Sequence, residues 1–210
     1  MGKAHHRLSP SSFNPRSQCP QFVSAPAGAA AQRGTWLHAG GEALLRGNEL
    51  SEDYTGEDRE QVEWYADYVK MVAGDLPLEV EVQVSCTDED DFSELYFGTL
   101  DAVAYDAPRK HVDICDMKSG ERRNYWPQMF SYATAISTAR EIESIRCHVV
   151  YPRMREVDTY DTTPAEARQK TMAIIESIER GDPPRACDYC NWCEKSTYCP
   201  AITDQVTALA

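Results

Sequence analysis

The densest chemistry in the chain lies in the run HVDICDMK, residues 111–118. Side chains two apart on a strand point the same way, so Val112, Ile114, Asp116 and Lys118 share one face. Val112 and Ile114 read as core, which leaves Asp116 and Lys118 at the strand end where core meets solvent. A carboxylate there binds a hard divalent cation through oxygen. A lysine beside it can orient or deprotonate a water, or stabilise charge developing on a phosphoryl group. The strand before it, about Leu95 to Tyr105, places Phe97, Thr99, Asp101 and Val103 on one face, with Gly98 removing a side chain near the bend. Antiparallel pairing through the 106–110 loop would bring Asp101 near Asp116. The plain alternative is a surface ion pair at Asp116 and Lys118 and a turn at Asp101.

Further polar residues fall at suggestive spacings. Gln128 and Tyr132 are four apart on the helix that follows, so they share a face that can lean over the strand end. Gln128 could hydrogen-bond a base or phosphate, and Tyr132 could contact a nucleotide; the alternative is ordinary helix surface. His38 lies one position from Leu37 on an earlier helix, where a lone histidine is more often a satisfied, half-buried residue than a ligand. Near the C-terminus, Cys187, Cys190, Cys193 and Cys199 form C-x2-C-x2-C-x5-C. Four thiols that close together suit a metal, either zinc or an iron–sulfur cluster. Tyr189, Trp192 and Tyr198 offer an aromatic shell around it.

These residues need elements to position them. A helix is expected from about Gly34 to Arg46, with Leu37, Gly41, Leu44 and Leu45 as its buried stripe, weakened by the Gly40-Gly41 pair. A clearer one covers about 57–73, where Val62, Tyr65, Ala66, Val69, Val72 and Ala73 recur at helical spacing before Gly74. The period then becomes two: Leu78, Val80, Val82 and Val84 alternate with polar residues as a half-buried strand. An acidic turn at Asp88 to Asp91, the 95–105 strand and the 111–118 strand complete an antiparallel meander. A helix over Trp126–Arg140, a strand over Ile145–Tyr151 and a last helix follow. That helix begins at Thr163-Pro164-Ala165-Glu166, a capping box with proline in the first turn. No element is expected over 152–162, and residues 1–16 read as a flexible arm. Helices packed on a mixed sheet, an α/β fold, is the economical arrangement.

Composition narrows the setting. The 210 residues suit one domain with at most a small appendage. No run of eighteen apolar residues exists, which argues against a membrane span. The N-terminus lacks an apolar signal region, so a reducing, cytoplasmic setting is expected. A net charge of −13 argues against a protein that coats nucleic acid with a basic face. Much of that charge falls in 49–60 and 88–94. Arg109, Lys110, Arg122, Arg123, Arg153 and Arg155 instead lie in and after the central strands. Cys86, Cys115 and Cys147 fall in expected strands and read as small buried residues.

Taken together, Cys19-Pro20, Gly34-Thr35-x-x-His38, Gly98-x-x-Asp101, Asp116-x-Lys118, Gln128-x-x-x-Tyr132 and the C-terminal cysteines resemble the PD-(D/E)XK nuclease superfamily. The likeness is to its RecB-like branch, which includes CRISPR-adaptation exonucleases, AddB-type recombination nucleases and related phage proteins. It runs over roughly residues 17–200. It implies a restriction-endonuclease-like core, with residues 17–186 as nuclease domain, 187–200 as a cysteine cluster closing on Cys19, and 201–210 as a tail. It implies Mg²⁺ or Mn²⁺ held by His38, Asp101, Asp116 and the Met117 carbonyl, with Lys118 as catalytic lysine and Gln128 and Tyr132 as the branch's extra motif. Glu81 is a candidate auxiliary ligand. A 4Fe–4S cluster on Cys19, Cys190, Cys193 and Cys199 is implied to join the chain ends, with Cys187 as a substitute ligand and Zn²⁺ as the alternative occupant. The implied activity is a metal-dependent deoxyribonuclease acting on DNA ends or single strands in recombination, repair or phage DNA processing, with recombination or replication proteins as partners. Two alternatives stand beside it: a non-catalytic DNA-end-binding or complex subunit of the same fold, and a zinc-ribbon interaction protein.

Overall fold

In the computed structural model, residues 8–88 and 93–203 are described; the acidic turn is therefore described only at Asp88, and the last residues of the tail and the first of the arm lie outside. The elements are α1 (Pro10–Gln18), α2 (Ala29–Leu45), α3 (Gly56–Ala73), β1 (Leu78–Thr87), β2 (Glu94–Asp106), β3 (His111–Met117), α4 (Trp126–Ala139), β4 (Ser144–Tyr151), β5 (Glu156–Thr162) and α5 (Pro164–Glu179), followed by two short 3-10 turns, Cys190–Trp192 and Ser196–Tyr198. The strands form one sheet in the order β1-β2-β3-β4-β5. The meander β1-β2-β3 is antiparallel, as expected. β3 and β4 are parallel, with α4 as the crossover a parallel pair requires.

Helices cover both faces. On one, Phe13 of α1, Met129, Phe130 and Ile136 of α4, and Ile175 of α5 pack on Val112, Ile114 and Cys147. On the other, Leu37 of α2 and Val62, Tyr65 and Val69 of α3 pack on Ala102, Cys115 and Met117. The sheet is thus buried on both sides along its centre, and Cys86, Cys115 and Cys147 are buried there. Thr163 accepts a hydrogen bond from the Glu166 amide at the start of α5, as its capping signature implies. The Glu166 carboxylate turns instead to Thr162 and Tyr160.

Three expectations change. The polar start is no loose arm from Pro10 onward: it is α1, with proline in its first turn and Phe13 fully buried. A single aromatic inserted between sheet and helices orders a segment whose other residues carry little apolar signal. Residues 156–162 form β5, antiparallel to β4 at the sheet edge, where a polar sequence is tolerated. The strict alternation expected in β1 and β2 also fails. Val82 and Val84 pack with one core and Leu78 with the other; Leu100 and Val103, three apart, share a core while Ala102 faces away. The switch centres on Glu81, whose φ of 56° is left-handed, and on Asp101 opposite it, between the pairs Val82↔Leu100 and Val80↔Ala102. Such a backbone costs on the order of 1–3 kcal/mol and persists only where surroundings enforce it.

Glycines mark close approaches. A Cβ on Gly40 or Gly41 would meet the rings of Tyr54 and Tyr65 at 2.7 and 2.9 Å, so the pair that weakens α2 as a helix lets those rings lie against it. A Cβ on Gly98 would lie 2.5 Å from the Pro10 ring and 3.2 Å from Tyr132. Since the proline ring cannot rotate away, Gly98→Ala is expected to destabilise the fold by about 1–3 kcal/mol in urea unfolding, without a change in m-value.

Candidate active site and cysteine cavity

The strand parity proposed for β3 holds where it matters. Asp116 is buried with Val112 and Ile114, and Lys118 extends the strand by donating its amide to the Val150 carbonyl at 2.8 Å. The Lys118 ammonium lies 2.6 Å from Asp116 Oδ2 and donates to Gln128 Oε1 at 3.0 Å. That close ion pair is the partner of Oδ2, which is fully buried. The second carboxylate comes from β2, at the position opposite Glu81. Asp101 Oδ2 accepts from the Met117 amide at 2.8 Å, and Oδ1 lies 3.2 Å from His38 Nδ1. The face switch is what frees Asp101 to make this contact, so a regular β2 would not build the site. Met117 meets Asp101 through its amide, while its side chain is core.

The charges interlock. Burial alone would raise the Asp101 carboxyl, but His38, Lys118 and the Met117 amide together hold it below its ordinary value. Burial raises that of Asp116, with the Asp101 charge adding to it and Lys118 opposing. Burial would lower the Lys118 ammonium, yet Asp116 and Asp101 outweigh it, so the lysine stays protonated. Burial likewise opposes the His38 imidazolium, and Asp101 carries it above its usual range. A firmly protonated Lys118 can stabilise anionic charge or orient a water; it is poorly set to abstract a proton.

Gln128 and Tyr132 are buried rather than displayed to a ligand. Gln128 Nε2 donates to Asp116 Oδ1 and to the Tyr132 hydroxyl, each at 3.2 Å, and burial raises that phenol well above its ordinary range. Gln128 is held in turn by Asn14: its Nδ2 donates to Gln128 Oε1, and its Oδ1 accepts from the Gln128 amide, both at 3.0 Å. Asn14 was hidden in the segment read as an arm; the proline-started helix was the available signal. Replacing Asn14 or Gln128 by alanine strands the partner's buried polar groups. Each change is expected to cost about 1–3 kcal/mol, and a double-mutant cycle should give a coupling of at least about 0.5 kcal/mol.

A small cavity opens beside Asp101, lined by His38, Glu42, Tyr65, Glu81, Asp101 and Met117. Glu42 was missed, although it lies one turn beyond His38 on α2. Buried carboxylates and an imidazole are hard donors of the kind that hold Mg²⁺ or Mn²⁺. The Tyr65 hydroxyl is buried there without a hydrogen bond, while Asp116 Oδ2 is met by the Lys118 ammonium. As arranged, however, no three His, Cys, Asp or Glu among the described residues form a ready metal cage. The cations of His38 and Lys118 stand against the two carboxylates instead.

The cysteines gather as expected in a second place. Cys19, Cys187, Cys190, Cys193 and Cys199 all line one cavity of about 200 Å³. Backbone pairing of Ser24 with Cys193, and bonds from the Ala25 amide to Trp192 and from Glu194 to Val23, lay the N-terminal segment against the C-terminal one. The Arg185 amide donates to Cys19 Sγ at 3.4 Å and the Cys187 amide to Cys190 Sγ at 3.2 Å. Burial pushes the Cys187 thiol up to about 11. These thiols line walls with space between them and are not drawn around a single point.

The basic residues expected to serve DNA are mostly paired. Arg122 bonds Glu156 and Asp158, Lys110 bonds Glu141 and Glu143, Arg109 meets Asp106, and Arg155 meets Glu60. No helix of the described residues is long and apolar enough to cross a membrane.

Among solved structures the chain is similar to the crystal structure of SSO0001, at 15% identity and a TM-score of 0.49, over 96% of this chain and 89% of that one. It is also similar to an alkaline exonuclease (LHK-Exo) from Laribacter hongkongensis, at 10% identity and a TM-score of 0.38, over 97% and 95%. No curated protein matches it. One family model, described as "Protein of unknown function (DUF2800)", matches residues 5–210 and so takes in the whole sheet, both layers of helices and the cysteine segment. The chain belongs to that family.

Proposed function

We propose that the protein is a divalent-metal-dependent deoxyribonuclease that hydrolyses phosphodiester bonds at DNA ends or in single strands. The observation that carries this reading is the convergence of Asp101, Asp116 and Lys118 at one sheet end, buried and braced by His38 and Gln128. Nothing in a surface ion pair requires two carboxylates to be buried together, which is costly unless they bind something. In this reading Asp101, Asp116, His38 and the Met117 carbonyl hold Mg²⁺ or Mn²⁺, with Glu81 as an auxiliary ligand. The ion supplies a water of lowered pKa and neutralises phosphate charge. Lys118, kept as an ammonium by its carboxylate neighbours, donates to a phosphoryl oxygen and stabilises the charge that grows on it. Gln128 positions that ammonium, and Tyr132 positions Gln128. Recombination, repair or phage DNA processing is the setting that the resemblance favours, in the cytoplasm and with other recombination or replication proteins.

We also propose that the cysteine cavity holds a 4Fe–4S cluster on Cys19, Cys190, Cys199 and one of Cys193 and Cys187. The support is the gathering of Cys19 with the four C-terminal thiols around one cavity, in the one-before, three-after pattern that the resemblance implies. Amide donors at two of the sulfurs suit a cluster whose potential is tuned by such bonds.

Incubation of end-labelled single- and double-stranded DNA with Mn²⁺ tests the first proposal. Lys118→Ala and Asp116→Ala are each expected to lower cleavage by at least about a hundredfold; full activity in both removes this active site. Metal analysis tests the second. Aerobically handled but freshly purified protein should be brown and contain iron that Cys19→Ser loses, whereas colourless protein with stoichiometric zinc would overturn it.

A further inference from the structure

A second polar cavity, of about 480 Å³, opens between the segment after Lys118 and the cysteine lobe. We infer that it binds one unpaired nucleobase of a single strand whose backbone passes Lys118, an inference that rests on the nuclease reading.

Its walls are Arg122, Arg123 and Asn124 on one side and Tyr189, Asn191 and Trp192 on the other. The Arg123 guanidinium lies 4.2 Å from the Trp192 ring centre and 5.7 Å from that of Tyr189. Trp192 is nonetheless 48% exposed, a large apolar face left to solvent. The Tyr189 hydroxyl is buried without a hydrogen-bond partner. Flat aromatic and guanidinium surfaces stack nucleobases, and asparagine amides both donate and accept along a base edge. The volume falls within the range of about 300–1,000 Å³ usual for small-ligand sites, ample for one base and its sugar. A duplex offers no such base without flipping it out.

The cavity neighbours the proposed catalytic end through Tyr125. Lys118 Nζ lies 4.8 Å from the Tyr125 ring centre, and Tyr125 follows Asn124 directly. A phosphate at Lys118 would thus place a neighbouring base near Arg123 and Trp192. Charge points to stacking as the source of affinity here. Arg122 is held by Glu156 and Asp158, Arg123 by Glu121, and Asp188 also lines the cavity. With its cations paired, the cavity adds few released counterions on binding, so its contribution should hardly depend on salt.

The test is fluorescence anisotropy with a labelled single-stranded oligonucleotide and with the matching duplex, in chelator so that nothing is cleaved. Trp192→Ala is expected to weaken single-strand binding by about 5- to 150-fold, the worth of one stacked base. Trp192→Phe should restore most of it, and Asn191→Ala should lose a smaller factor. Duplex affinity should not move, and the wild-type-to-variant ratio should hold between about 50 and 200 mM salt. Thermal melting and metal content equal to wild type exclude loss of the cysteine lobe; if Trp192→Ala lacks either, Trp192→Phe and Asn191→Ala carry the comparison. Unchanged single-strand affinity in the variants, or equal losses for single strand and duplex, overturns the inference while leaving the nuclease reading intact. Wild-type protein that binds no single strand in chelator also overturns the inference, whereas the nuclease reading stands or falls by the Mn²⁺ cleavage assay.

Discussion

Two carboxylates buried at one sheet end set the terms for everything around them. Asp101 and Asp116 are neutralised by His38 and Lys118, and each partner comes from a different element: α2, β2, β3 and the turn beyond it. A buried ion pair that loses one member costs about 3–5 kcal/mol, because the survivor is left uncompensated. The surrounding structure is accordingly specified in detail. Gln128 binds both members of one pair, Asn14 binds Gln128, and α1 is held against β2 closely enough to require glycine at 98. The left-handed Glu81 of β1 lies opposite Asp101, so backbone strain in β1 accompanies the contact of that carboxylate with the amide at the end of β3.

Residues 19–25 meet residues 185–199 at the cysteine cavity, which closes a loop of about 170 residues. Loop entropy rises only slowly with length, so such a closure is affordable once strong bonds hold it. Three backbone contacts between residues 23–25 and 192–194 already do part of this. A metal cluster bound by thiols from both ends would convert binding free energy into folding free energy. The Arg123 stack on Trp192 then ties that lobe to the segment carrying Lys118 toward α4. The net charge of −13 fits this arrangement better than a basic DNA-coating surface would. Most surface arginines and lysines near the strands are matched by carboxylates, so under the proposed reading nucleic acid would be held by a cation site and by stacking.

Local chemistry was legible in the sequence wherever one rule dominated. The capping box of α5, the apolar stripe of α3 and the meander of β1 to β3 appear where their patterns put them, within a few residues. Parity on β3 correctly set Asp116 beside Lys118, because that strand is regular and buried on both faces. The gathering of Cys19 with the distant cysteines rested on family likeness, since no spacing rule reaches across so many residues.

What the sequence could not carry depends on contacts between elements far apart in the chain. Alternation in β1 predicts one face for Leu78 through Val84, and the left-handed backbone at Glu81, opposite Asp101, breaks it. α1 has little periodicity of its own; Phe13 and Asn14 order it by packing into a core and a hydrogen-bond network built from β2 and α4. Gln128 and Tyr132 share a helix face in either view, but whether that face meets solvent or two buried charges is settled by where α4 docks. The sequence by itself thus determined which residues could do the chemistry and which face of their own element they occupy. Tertiary structure decided which of them meet, because the burial of opposite charges is satisfied only when several elements close on one point.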